Sequence, residues 1–204
     1  MKTRHLISSP GKLSLANVRA FALGLVFASA LGAQEPAPTP VQLLPNGDLE
    51  TSTKEAGWPD HWSRPDAGSC SWDEEDGRRY LRLNVTEPGE VVLSYRSITI
   101  PPEVKALQLT LRARVIGLKC GPQAWFDARV MADFKTRDGE KVKGAKSIAF
   151  RKDTDGWVER SVRIAVPDGA AVLEIMPTLF RAYSGTFDVD EILVTPIDPA
   201  EINR

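Results

Sequence analysis

The sequence predicts an all-β protein, an antiparallel β-sandwich of jelly-roll type folded as a single domain after a signal peptide. Three observations predict it. Beyond residue 40, apolar residues recur at every second position in run after run, the spacing that sends alternate side chains to opposite faces of a strand. Turn chemistry separates those runs at Glu87-Pro88-Gly89, Pro101-Pro102, Arg137-Asp138-Gly139, Asp155-Gly156 and Pro167-Asp168-Gly169. No stretch carries a helical period with caps, so a sheet built from alternating strands and helices is excluded.

The first 33 residues read as a signal peptide. Lys2, Arg4, His5, Lys12 and Arg19 make a basic leader, and Ala20 to Leu31 is an apolar run too short to span a bilayer. Small residues follow, with cleavage expected after Ala30, Gly32 or Ala33; the alternative is an uncleaved membrane anchor. Residues 34–41 form a spacer in which Pro36, Pro38 and Pro40 favour an extended, solvated chain. Residues 42–197 are long enough for one domain with a real core, and 198–204 form a tail. The expected location is secreted or periplasmic, with no membrane contact once the leader is cut. The 26 basic and 27 acidic residues are interspersed, which argues against capture of nucleic acid or of a membrane surface.

The strands follow in chain order. Leu81, Leu83 and Val85 alternate with Tyr80, Arg82 and Asn84. Leu107, Leu109, Leu111, Ala113 and Val115 alternate with Gln108, Thr110, Arg112 and Arg114, the mark of a half-buried strand. Phe126, Ala128, Val130, Ala132 and Phe134 alternate with Trp125, Asp127, Arg129, Met131 and Asp133. Val158, Val162, Ile164 and Val166 supply another apolar face, and Leu173, Ile175 and Leu179 one more. In the last strand Phe187 and Val189 share a face, yet the next apolar pair is Ile192 and Val194. That slip of one residue around Asp190 and Glu191 predicts a β-bulge.

Acidic segments stand at both ends of this array, Asn46-Gly47-Asp48-Leu49-Glu50 and Asp188-Val189-Asp190-Glu191. They suggest that the first and last strands pair. A bulge beside carboxylates suits a cation with oxygen ligands, calcium above all; the plainer reading is solvated edge charges. The first of these segments, followed by Gly57-Trp58-Pro59-Asp60-His61-Trp62, resembles the opening of the carbohydrate-binding modules of families 4, 9 and 22. Asp155-Gly156-Trp157-Val158 resembles their Trp strand, and Gly185-Thr186-Phe187-Asp188-Val189-Asp190-Glu191-Ile192 their closing strand. The resemblance spans roughly residues 42–196 and departs from the pattern at Leu49, where an aromatic is usual, and at Glu191, where Asp is usual. It implies a galactose-binding-like jelly roll. It also implies that Glu50 and Asp190 are ligands of a structural calcium, and that Trp62 and Trp157 are core or turn anchors.

Sugar recognition needs flat apolar faces ringed by planar polar groups. Trp125, Asp127, Arg129, Met131 and Asp133 offer that mixture on one strand face, with Arg112 on a strand expected beside it; Trp72 and Tyr183 are further candidates. The alternative is plain cross-strand charge pairing. Catalytic residues are scarce. After export His61 is the one histidine left and reads as a structural hydrogen-bonder, no Ser or Cys sits in a nucleophile elbow, and Asp127 and Asp133 would stand about 20 Å apart. That is too far for glycoside hydrolysis, so no enzyme is expected. Cys70 and Cys120 are expected to pair in an oxidising compartment, the alternative being two small buried thiols. The resulting expectation is a secreted, non-catalytic protein that binds poly- or oligosaccharide. Its alternative is a structural or protein-interaction sandwich of the same fold with a protein partner.

Overall fold

A computed structural model describes residues 41–203. The expected signal peptide, and the spacer up to Pro40, lie outside the described residues. Among the described residues the elements are β1 (Ser69–Glu75), β2 (Arg78–Asn84), β3 (Val91–Leu93), β4 (Arg96–Thr99), β5 (Ala106–Lys119), β6 (Ala128–Lys135), β7 (Lys141–Val142), β8 (Ile148–Phe150), β9 (Val158–Ala165), β10 (Val172–Phe180) and β11 (Ser184–Pro196), then one 3-10 turn, Pro199–Glu201. They form two antiparallel sheets. One has the order β1-β2-β11-β5-β9; the other has β3-β10-β6-β7, with β4 also on β10 and β8 also on β6. The chain is thus an all-β antiparallel sandwich, as its alternation predicts.

The core is the layer between the sheets. Leu107, Leu109, Leu111, Ala113 and Val115 of β5 are fully buried, as are Leu81 and Leu83 of β2 and Phe187, Val189, Ile192 and Val194 of β11. Facing them are Ala128, Val130 and Phe134 of β6 and Leu173, Ile175 and Leu179 of β10. The bulge is present: Asp190 stands opposite Arg112 and Leu193 opposite Thr110, so two residues of β11 oppose one of β5. Glu191 takes up the irregularity in the left-handed region, at φ 49°. Without the extra residue, Ile192 and Val194 would point to solvent.

Two expectations about strands are corrected. Consecutive strands β5 and β6 lie in different sheets, because β5 pairs with β11 and β9 while β6 pairs with β10, β7 and β8. Arg112 therefore does not neighbour the Arg129 face. The Asn46–Glu50 segment is not a strand either. Asn46 (φ 55°) and Leu49 (φ 61°) are left-handed, which a ladder does not accept. The segment still closes on β11, through Leu43 N–H to Val194 O (2.8 Å) and Ile192 N–H to the Gly47 carbonyl (2.8 Å). A Cβ at position 47 would lie 2.0 Å from the Ile192 carbonyl oxygen, so only glycine lets the two chains approach. Three indole N–H groups secure the segment: Trp72 to Leu49 O, Trp62 to Asn46 O and Trp58 to Trp62 O.

The outward face of the five-stranded sheet carries an ion ladder. Asp188 is 0% exposed, and it accepts from Arg82 Nε (2.7 Å) and Nη2 (2.9 Å) on one side and from Arg114 Nε (2.8 Å) on the other. Asp190, 1% exposed, accepts from Arg112 Nη1 at 3.1 Å and pairs with Arg78 at 3.5 Å. Burial pushes its carboxyl above the usual range, against the Glu191 N–H, Arg78 and Arg112, which pull it down. Aromatic rings shelter the ladder. Arg112 and Arg114 stack on Trp157 at 4.3 and 4.5 Å, Arg82 and Arg114 on Tyr80 at 5.4 and 5.7 Å, and Tyr80 meets Trp157 edge to face. Replacing Asp188 by Asn leaves Arg82 and Arg114 without their shared anion. We expect Asp188→Asn to destabilise by about 3 kcal/mol in urea unfolding. A loss below about 1 kcal/mol would mean that the ladder is solvated decoration.

Candidate functional site

The residues expected to share one ligand face are split by the fold. Arg129, Met131 and Asp133 do point outward from β6. Their cross-strand partners on β10 are Thr178, Met176 and Glu174 respectively. Strand β10 is central in its sheet, and these outward side chains are buried as well as its inward ones. Flanking side chains fold over them. Tyr95 Oη donates to Glu174 Oε1 (2.7 Å), and Lys135 Nζ reaches the same oxygen at 2.7 Å. Burial and the Glu174 acceptor push the Tyr95 hydroxyl upward. Lys141 Nζ holds Asp133 at 2.8 Å. The polar groups of this face bind one another. Thr178 Oγ1 and Arg96 Nε are buried atoms without a partner among the described residues.

Asp127 is on that face as expected, but it is fully buried against Arg129 and not open to a ligand. The strand begins only at Ala128, and the chain before it is a turn closed by Gly121 N–H to Phe126 O (2.9 Å) and Phe126 N–H to Gln123 O (3.1 Å). The Asp127 carbonyl still takes the Phe180 N–H of β10 (2.8 Å), and its carboxylate folds onto Arg129 and takes both its Nε and Nη2 protons. The same turn carries Trp125 off the sheet and into solvent, where it is 52% exposed.

Trp125 stands at one end of the sandwich among groups from three loops. Its ring meets Phe126 edge to face at 6.0 Å, and Phe126 meets Phe180 at 5.8 Å. Arg181 lies over the other part of this array, 5.5 Å from the Phe126 centroid. Arg151 donates to the carbonyl of Ala124, the residue before Trp125. Tyr183 follows two residues after Arg181, is 48% exposed, and donates its N–H to Lys119 O (2.8 Å). The loops interlock at Gly121, where a Cβ would come 2.5 Å from the Arg181 carbonyl oxygen.

The other expected site residues are structural. Arg112 belongs to the ion ladder on the opposite sheet. Trp72 sits on β1, packs against the core, and lies beneath Arg79 at 4.5 Å. The cation expected between the acidic segments is supplied by the chain itself. Arg78 pairs with Glu191 and Asp190, and Glu50 adds to the field that raises its pKa; the Glu191 hydrogen bond is the largest cause. Glu50 accepts the Arg79 N–H at 2.9 Å, and no group of three or more His, Cys, Asp and Glu side chains converges among the described residues. Asp190, held by Arg78 and Arg112, does not fit calcium, which needs carboxylate oxygens free of guanidinium. The expected disulfide is absent: Cys70 and Cys120 are both free. From β1 to β5 is three strand spacings, roughly 14 Å, well beyond disulfide reach. Burial pushes both thiols upward.

No family model matches the sequence, and no curated protein matches it. Solved structures do match its fold. The enzymatically active domain of tailspike protein 4 from bacteriophage CBA120 superposes with a TM-score of 0.59 at 14% identity, over 76% of this chain and 21% of that one. The arabinose-bound α-L-arabinofuranosidase MgGH51 gives 0.51 at 12% identity, over 76% of this chain and 26% of that one. In both cases the chain spans about a quarter or less of the other protein. A family 4 carbohydrate-binding module gives 0.51 at 16% identity, over 76% of this chain and 99% of that module. The chain therefore has the β-sandwich fold of carbohydrate-binding modules.

Two measurements check the corrections made here. The melting temperature should be the same in EDTA and in calcium chloride, because Arg78 fills the place of a cation; a rise with calcium would contradict this. Unfolded without reductant, the protein should titrate two thiols per chain, and dithiothreitol should leave its melting temperature unchanged. A missing thiol pair would restore the disulfide.

Proposed function

We propose that the protein is a secreted, non-catalytic carbohydrate-binding module that holds poly- or oligosaccharide against Trp125 at one end of the sandwich. The observation that carries this is the exposure of Trp125 and Tyr183 on neighbouring loops of a fold shared with a family 4 module. An exposed indole on a fixed loop offers a flat apolar surface, and the C–H face of a pyranose ring suits it. The loop network around it supports a preorganised platform, since Phe126, Gly121 and Arg151 fix the turn by ring contact, close approach and hydrogen bond.

The side-chain chemistry supports binding rather than turnover. Asp133 and Glu174 are cross-strand neighbours, the spacing a retaining glycosidase uses, yet each is already held by a lysine. His61 sits in a left-handed turn with Nδ1 3.3 Å from Lys54 Nζ and no carboxylate beside it to orient the ring.

Trp125→Ala should abolish retention on polysaccharide in affinity electrophoresis, a loss of at least about tenfold in Kd, with the melting temperature nearly unchanged. Retention equal to the parent's would remove Trp125 from the site. No retention of the parent on any glycan would favour the alternative, an interaction sandwich with a protein partner.

A further inference from the structure

We infer that the saccharide taken at the Trp125 end is anionic, a glycan bearing hexuronate carboxylates that Arg151 and Arg181 receive. The inference rests on the glycan-binding reading above and names its substrate class.

Two exposed guanidiniums set beside the Trp125 platform carry it. Seven arginines of the sandwich are held in ion pairs: Arg64 with Glu55, Arg78 with Asp190 and Glu191, Arg79 with Glu74, Arg82 with Asp73 and Asp188, Arg112 with Asp190, Arg114 with Asp188 and Glu75, and Arg129 with Asp127. Arg96, Arg137 and Arg160 have none among the described residues, but they do not flank an exposed indole. Arg151, Arg181, Lys119 and Lys152 are exposed, and none of them has an ion-pair partner among the described residues.

The acids nearby are occupied by other groups. Asp127 is buried against Arg129. Asp153 accepts the N–H of Gly117 at 2.8 Å and of Leu118 at 2.7 Å. Glu90 accepts the N–H groups of Thr86 and Glu87. Four cations are too few for a nucleic-acid track, which needs a stripe of them.

The geometry sets the cations beside the platform. Arg151 is fixed to the Ala124 carbonyl, one residue from Trp125, and Arg181 is stacked on Phe126, which itself touches Trp125. An indole with one guanidinium held at the preceding carbonyl and another stacked on the following ring suits a sugar with a planar carboxylate at its rim. The apolar face of the sugar stacks, and the carboxylate takes paired N–H donors from an arginine fork. A neutral ring would use the indole and leave both guanidiniums in water.

The test compares each acidic glycan with its own neutral form. Polygalacturonate, alginate and hyaluronan are offered to the full protein beside the same polymers after reduction of their carboxyl groups to primary alcohols. One acidic polymer should bind about tenfold or more tighter than its reduced form, the difference expected of a charge-assisted bidentate contact. Raising sodium chloride from about 50 mM to about 500 mM should erase most of that gap. Arg151→Gln and Arg181→Gln should each narrow it, and binding of the reduced polymer by the same variants separates a lost charge contact from a loosened platform. Equal binding of acidic and reduced forms, or binding only to neutral glycans, overturns this inference and leaves the glycan-binding function standing. Failure to bind any glycan overturns both.

Discussion

Two carboxylates on the outward face of β11 determine how the rest of the molecule is arranged. Asp188 and Asp190 are buried where a sheet normally meets water. An uncompensated charge there would cost several kcal/mol, so the sequence must bring guanidinium to each. It does so from both sides: Arg82 and Arg114 stand directly opposite Asp188 in the β2 and β5 registers, and Arg112 stands opposite Asp190. The pairing works only in this register. A slip of one residue would turn the carboxylates toward the core and the apolar set of β11 toward solvent. The ladder thus selects the strand alignment, and the bulge after Asp190 restores inward parity for Ile192 and Val194.

That constraint divides the molecule by role. The five-stranded sheet is closed by ion pairs sheltered under Trp157 and Tyr80, and Arg78 joins the acidic segments at the chain's two ends. The outward face of the other sheet is closed too, through Tyr95, Glu174, Lys135 and the Arg129–Asp127 pair. The loop end presents an exposed indole and phenol beside Arg151 and Arg181. Function on this scaffold falls to loops held by rigid sheets, where exposed apolar and charged groups carry no structural duty.

The sequence shows the two-residue period of β5 and the parity slip in β11 plainly, because both are local consequences of burial on one face. The resemblance to carbohydrate-binding modules implies Trp62 as an anchor, and its N–H holds the Asn46 carbonyl. Less is visible where long-range pairing decides. The alternation from Trp125 to Asp133 reads as one strand, yet the turn bonds at Gly121 and Phe126 end the strand at Ala128 and bury Asp127. Strands β5 and β6 follow each other in the chain but cross between sheets, so Arg112 and Arg129 face opposite sides of the molecule. The acidic segment of β11 is met by Arg78, whose place beside it depends on β2 pairing with β11. The placement of Arg151 and Arg181 beside Trp125 emerges only once the loops that carry them are packed together.

The central claim is that ligand meets the loop end and not the outward face of a sheet. Backbone and indole NMR shifts, followed while the protein is titrated with oligosaccharides, test it most directly. The account predicts that the Trp125 indole and the amides of Gly121 to Phe126, Arg151 and Arg181 to Tyr183 move together. Shifts centred on Met131, Met176 and Thr178, with Trp125 unmoved, would contradict it.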